Sequence, residues 1–289
     1  YKDTEGKIWV ASHLKGFYTF DKNLKRGHFS SKHKNVIGMA TSVVQDENGY
    51  MWLSTNKHLY VYNGKEVYLA KGFPENCNVR KIVKLRNNNI LFCAVGSGVY
   101  LKTKDKIKLY TSSDVNYLNV FSAFQFEDGR IILGTVGGLC EIKNDSITKS
   151  SLNNGLTIDR PIYLILKDNN NNLWFGTDLG VIKFNGDKLF PYSIKDGFAG
   201  NEVNRSGGLV DINGRVWFGT NNGASCFYKE FDVKQDSINP VSLAVKYINT
   251  NVDTNFATSD LEFSHNENDI TFVVKGGSFI NESENKIRW

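Results

Sequence analysis

The sequence predicts an all-β chain, a β-propeller with six visible blade repeats followed by the first strands of a smaller β-domain. Three observations carry that prediction. A short box around an apolar anchor recurs six times, at intervals of 43, 39, 41, 42 and 43 residues. Four of the five tryptophans fall on that anchor. Aromatic residues make up 13% of the chain, a composition that favours strands over helices.

The copies are KIWVAS around Trp9, YMWLST around Trp52, ILFCAV around Leu91, IILGTV around Ile132, LWFGTD around Trp174 and VWFGTN around Trp217. Three residues before the anchor stand Gly6, Gly49, Asn88, Gly129, Asn171 and Gly214. Gly and Asn enter the left-handed backbone region at least cost, so this position predicts a tight hairpin turn. Six residues before the anchor, four copies carry Asp3, Asp46, Asp168 and Asp211, whose side chains suit an Asx-turn. Two residues after it come Ala11, Ser54, Cys93, Gly134, Gly176 and Gly219, all small, as crowded strands require. Gly16, Gly98, Gly138, Gly180 and Gly223 then mark a second turn, and Asn63–Gly64 and Asn185–Gly186 a third. Four short antiparallel strands per unit at this period are the signature of a propeller blade. The anchor ring is predicted to pack between blades, burying about 150–250 Å².

The first copy opens at its hairpin turn. A propeller hides its strand edges by closing, so an inner strand and further blades are expected upstream of Tyr1, in a ring of the seven-bladed type. After the last copy the pattern changes. Residues 1–232 are assigned to the propeller and 238–289 to a second β-domain, where INPVSLAVKYINTN and LEFSHNENDITFVVKGG read as strands without the box.

Composition narrows the function. Hydrophobic residues at 40% and charged residues at 22% are ordinary for a globular domain. No apolar run approaches the roughly 20 residues of a membrane helix. The net charge of +5 is modest, and the basic stretch DKNLKRGHFSSKHK at 21–34 reads as a solvated loop, without the aromatic pattern of a nucleic-acid site. Four scattered cysteines form no CxxC pair and are expected to serve as small hydrophobes. The five histidines match no metal spacing, and DNNNN at 168–172 lacks the glycine and distal glutamate of a calcium loop. No cofactor or metal is expected, and no catalytic residue stands out.

The box D-x-x-G-x-h-W-h-G-T-x-x-G-h resembles the two-component-regulator propeller repeat found in sensor ectodomains of hybrid histidine kinases. DGFAGNEVNRSGGLVDINGRVWFGTNNGASCF is similar to the closing blade of that family, and LEFSHNENDITFVVKGGSFINESENKIRW to the opening of the Ig-like β-sandwich that follows it. Copies three and four depart from the box, lacking both tryptophan and leading aspartate, and copy two has His58 where glycine is usual. The resemblance implies an extracytoplasmic sensor fragment of a membrane-bound regulator, itself not an enzyme, acting as a homodimer and anchored by a membrane segment outside this chain. It implies an oligosaccharide ligand and no nucleic-acid contact by this part. The alternatives are a dimerisation scaffold without its own ligand and a virginiamycin-lyase-like propeller enzyme. The latter requires a histidine and an acid near the axis, and the sequence offers no evident pair.

In this strand order the loops between second and third strands share one face with those entering each inner strand. Candidate ligand contacts on that face are His58, Phe73, Tyr117, Arg160, Asp178, Phe198, Asn201, Asn204 and Arg205. Aromatic platforms beside amide and guanidinium donors suit sugars. Asn201 and Asn204 equally suit the bracing of a long loop.

Overall fold

Hairpin chemistry sets the blades. The computed structural model describes residues 1–228 and the strands at 242–249, 252–255 and 270–277. At all six copies the residue three before the anchor is left-handed, with φ of 83, 84, 62, 89, 66 and 79° for Gly6, Gly49, Asn88, Gly129, Asn171 and Gly214. Each donates its N–H to the carbonyl three residues earlier, at 2.9–3.2 Å.

The chain divides into two compact units, Tyr1–Lys229 and Glu230–Trp289. The first is a six-bladed propeller. Blade one holds β1 (Ile8–Ser12), β2 (Gly16–Phe20) and β3 (Arg26–His28). Blade two holds β4 (Ala40–Gln45), β5 (Met51–Thr55), β6 (Leu59–Tyr62) and β7 (Val67–Leu69). Blade three follows with β8 (Val79–Lys84), β9 (Ile90–Ala94), β10 (Gly98–Lys102) and β11 (Ile107–Tyr110). Blade four comprises β12 (Val120–Gln125), β13 (Ile131–Thr135), β14 (Gly138–Lys143) and β15 (Ser146–Lys149). In blade five are β16 (Ile162–Lys167), β17 (Leu173–Thr177), β18 (Gly180–Phe184) and β19 (Leu189–Tyr192). Blade six holds β20 (Val203–Val210), β21 (Val216–Thr220) and β22 (Gly223–Phe227). Every sheet is antiparallel in chain order, and successive inner strands lie side by side, β4 on β8, β8 on β12, β12 on β16 and β16 on β20. Trp9 sits in β1 as Trp52 sits in β5, so blade one is described from its second strand outward.

The leading aspartate does more than close a turn. In four blades one carboxylate oxygen accepts the backbone N–H groups two and four residues on. The other accepts the indole N–H of the anchor, at 2.8 Å for Asp3–Trp9 and Asp168–Trp174 and 3.0 Å for Asp46–Trp52 and Asp211–Trp217. A buried carboxylate is costly without such donors. Copies three and four have Leu91 and Ile132 as anchors, which offer no indole, and there Leu85 and Phe126 replace the aspartate. The two departures from the box are therefore one departure.

The anchors pack between blades as expected. Trp52 lies 5.2 Å from Phe92 of the next blade, and Trp174 lies 5.5 and 4.6 Å from Phe218 and Phe227, ring centre to ring centre. The small residue after the anchor meets the neighbouring inner strand. A Cβ on Gly176 would stand 2.7 Å from the Val203 side chain and 3.0 Å from the Leu164 Cβ. Cys77, Cys93 and Cys140 are buried and Cys226 partly so. Burial lifts the thiols of Cys77 and Cys140 to about 11 and that of Cys93 to about 12.

One of these clamps has a pH signature. The Trp217 indole, with further help from Arg215, holds the Asp211 carboxyl down at about 2 from an ordinary 3.8. A depressed carboxyl stabilises the fold above its unfolded value and loses that contribution as pH falls through the folded one. Asp211→Asn is therefore expected to flatten the decline in melting temperature between about pH 4 and pH 2 relative to the parent. Parallel acid limbs in the two thermal series would refute this.

In the second unit one antiparallel sheet is described, with β23 (Ser242–Asn249) between β24 (Val252–Asn255) and β25 (Ile270–Gly277). The second sheet that a sandwich over 238–289 needs lies outside the described residues.

Candidate functional site

Every inner strand carries a β-bulge at the same place. On β4, β8, β12 and β16 the extra residue is Thr41, Arg80, Phe121 and Tyr163, each 11 residues before its anchor. On β20 the bulge is larger, and Asn204 to Gly207 stand opposite Gly219 alone, with Ser206 at φ 58°. A bulge turns one side chain out of the sheet's alternation and is a common device for aiming it at a site. Three of these bulges converge. Thr41, Arg80, Asn204 and Arg205 line one cavity of about 320 Å³, together with Ala11, His13, Ala40 and Glu202. The Arg205 guanidinium lies 4.9 Å above the Phe121 ring and 5.3 Å above the Tyr163 ring, which meet edge-on at 5.4 Å. Strands from blades one, two, three and six thus reach a common axial cavity whose wall continues onto blades four and five.

The cavity opens where the inner strands begin. In blades two, three, four and six the turn after the second strand donates to the residue just before the inner strand. Asn56 bonds Met39 at 2.9 Å, Val95 Asn78 at 3.0 Å, Val136 Asn119 at 3.2 Å and Asn221 Glu202 at 2.9 Å. These bonds lock the two loop sets into one face, as the strand order predicts.

The electrostatics of the cavity are uneven. Burial lowers the Arg80 pKa, and the like charge of Arg205 lowers it further. Arg80 Nε and the neighbouring Asn78 Oδ1 are buried without a hydrogen-bond partner among the described residues. The Tyr163 phenol is raised by burial and then by the Glu202 carboxylate, with Arg205 opposing and Asp178 adding to the rise. Asp178 faces Arg160 at 3.8 Å, an ion-pair separation too long for a hydrogen bond, and its Oδ1 is buried and unbonded.

The sequence candidates divide accordingly. Asn204 and Arg205 line the axial cavity, although Asn204 also donates to the Thr220 carbonyl at 3.0 Å. Asp178 and Arg160 stand at the Tyr163 side, and Arg160 also borders an open groove with Thr157, Asp159 and Pro191. The other five make contacts within the blades and the loops that join them. His58 Nδ1 bonds the Glu75 carbonyl at 2.6 Å, and Phe73 packs on Trp52, Phe92 and Tyr100. Tyr117 lies against Gly137, Phe198 packs on Phe218, and Asn201 accepts from the backbone N–H groups of Gly180 and Ile194. Sequence reasoning missed Thr41, Arg80, Phe121, Tyr163 and Glu202. It also found no histidine–acid pair, whereas His13 and Glu202 line the same cavity. Among the described residues no group of three or more His, Cys, Asp and Glu is placed to hold a metal, and no helix is long and apolar enough to cross a membrane.

Comparison with known proteins agrees with the fold. The extracellular domain of a hybrid two-component system from B. thetaiotaomicron superposes with a TM-score of 0.78 at 19% identity, over 96% of this chain and 40% of that one. PorZ, a surface component of the type-IX secretion system of Porphyromonas gingivalis, gives 0.60 at 12% identity, over 96% and 50%. A catalytically inactive virginiamycin B lyase from Staphylococcus aureus gives 0.59 at 11% identity, over 78% and 77%. This chain thus spans less than half of the first of these proteins. No curated sequence matches it. The two-component regulator propeller family matches residues 157–178, the stretch that leads into β16 and carries the fifth anchor. Residues 1–228 form a six-bladed propeller, in which 157–178 match the two-component regulator propeller repeat.

Proposed function

We propose that this chain is an extracytoplasmic ligand-binding part of a membrane-bound two-component regulator, and that an oligosaccharide occupies its axial cavity. The observation that carries the reading is the convergence of the bulges of β4, β8 and β20 on one cavity, with the bulged rings of β12 and β16 standing behind its Arg205. Asn204, Glu202 and Arg205, the last held against the Phe121 and Tyr163 rings, offer polar groups for the hydroxyls of a pyranose. Occupancy signals only if the ligand binds one arrangement of paired ectodomains better than the other, since equal affinity for both shifts nothing. The second unit is the natural route from the propeller to a membrane segment outside this chain.

Calorimetric titration with a panel of plant, fungal and host-type oligosaccharides tests this reading. One panel member is expected to bind, and Tyr163→Ala is expected to weaken it about 10-fold or more by removing a ring that holds Arg205 in place. A ligand indifferent to Tyr163→Ala and Arg205→Ala would move the site off the axis. A lyase is the second reading, favoured by His13 and Glu202 sharing the cavity. It requires a cleaved product in the titration cell and loss of cleavage in His13→Ala.

A further inference from the structure

The axial cavity brings two guanidinium groups together with no acid to neutralise both. We propose that it takes the oxyanion of an acidic saccharide, a uronate carboxylate or a sulfate ester, between Arg80 and Arg205. The inference rests on the saccharide reading above and specifies the ligand's charge.

Three observations support it. Arg80 and Arg205 come from blades three and six and share the lining with a single carboxylate, Glu202. Among the described residues neither arginine forms a salt bridge, and Arg80 Nε is buried without a hydrogen-bond partner. A buried donor left unmade is costly, so it marks a place where a partner is missing. Arg205, by contrast, is already held, its guanidinium carbon lying 4.9 and 5.3 Å from the Phe121 and Tyr163 ring centres. A guanidinium held by aromatic rings rather than by a carboxylate still has N–H groups to fork onto an oxyanion. A neutral sugar would leave the two like charges facing each other across the cavity, whereas an anion between them removes that repulsion. The origin of the arginines fits as well. Their positions are the bulged ones, so their side chains are released from sheet alternation.

The experiment uses the whole chain and probes that share one sugar frame. Isothermal titration is run with a galacturonate trisaccharide, with the same trisaccharide as its methyl ester, with a 6-sulfated galactose trisaccharide and with sodium sulfate at matched ionic strength. One of the two acidic saccharides is expected to bind, and the arm that binds distinguishes carboxylate from sulfate ester. Where the uronate binds, its methyl ester is expected to bind at least about 10-fold more weakly. Arg80→Gln and Arg205→Gln are each expected to weaken the acid by a similar factor while leaving the melting temperature close to the parent's. Equal binding of the uronate and its ester would overturn the anion inference and leave the saccharide reading intact. Sulfate binding that Arg80→Gln abolishes, with no saccharide bound, would uphold the anion site and overturn the saccharide reading. No binding in any arm would overturn both.

Discussion

Gly180→Ala is expected to unfold the propeller or to leave it at least about 4 kcal/mol less stable, while Gly186→Ala, six residues on, loses only about 1–2 kcal/mol. Both glycines are left-handed, at φ 89° and 99°, so the backbone penalty of an L-residue is nearly the same. What differs is the space. A Cβ on Gly180 would fall on the backbone carbonyl oxygen of Tyr192, with the Ser193 Cα at 3.1 Å, whereas nothing lies within 4 Å of a Cβ on Gly186. A flexible side chain would yield, but Tyr192 is paired with Val181 in the sheet, and the Gly180 N–H is itself tied to the Asn201 carbonyl. Relief therefore needs β18, β19 and the loop into β20 to move together. The same clash recurs at Gly98 with the Tyr110 carbonyl and at Gly138 with the Ile158 carbonyl, so it belongs to the blade design. Urea titrations followed by tryptophan fluorescence check the pair. Similar midpoints for the two variants would show that the φ penalty alone governs both sites.

The blade turns are legible because they impose a chemical requirement on single residues. Left-handed φ restricts the choice to Gly or Asn, so six independent positions repeat the same letter pair, and each is left-handed in the fold. The anchors are legible for a related reason, since one large ring per blade interval leaves a period. The axial cavity leaves neither trace. Its four single bulges hold Thr41, Arg80, Phe121 and Tyr163, which share no size, charge or polarity. A position selected for variety has no repeat signal, and it surfaces only when the copies are aligned and the exception to their apolar inner strand is sought. Loop residues pose the opposite difficulty. His58 and Asn201 have the right chemistry on the right face, but their side chains bond nearby backbone groups that would otherwise lack partners. Sequence position cannot show that diversion, because it depends on which carbonyl or N–H the neighbouring loop leaves open.

The second large effect concerns the clamp at Asp168. Trp174 is fully buried, and Ala in its place is expected to remove roughly 3–5 kcal/mol. Its ring also stands 5.6 Å from the Nζ of Lys183, which is itself buried, so the loss includes a face turned to a buried cation. The more informative variant is Trp174→Leu, which installs the anchor of copy three while keeping Asp168. That leaves a carboxylate, 6% exposed, without its 2.8 Å indole donor. Copy three avoids this state by carrying Leu85 and Leu91 together, both buried. Asp168→Leu combined with Trp174→Leu is therefore expected to be more stable than Trp174→Leu alone, by about 1–2 kcal/mol. Adding a second core substitution ordinarily destabilises further, so the predicted sign is opposite to simple accumulation. Asp168 also holds the N–H groups of Asn170 and Asn172 and the Asn172 side chain, and losing these bonds works against the rescue. The outcome thus weighs a buried carboxylate that has lost one of its four donors against the bonds of a turn that Asn171 already shapes. A double-mutant cycle on melting temperature measures the balance. A double variant less stable than Trp174→Leu would mean that the aspartate serves the turn first and the tryptophan second.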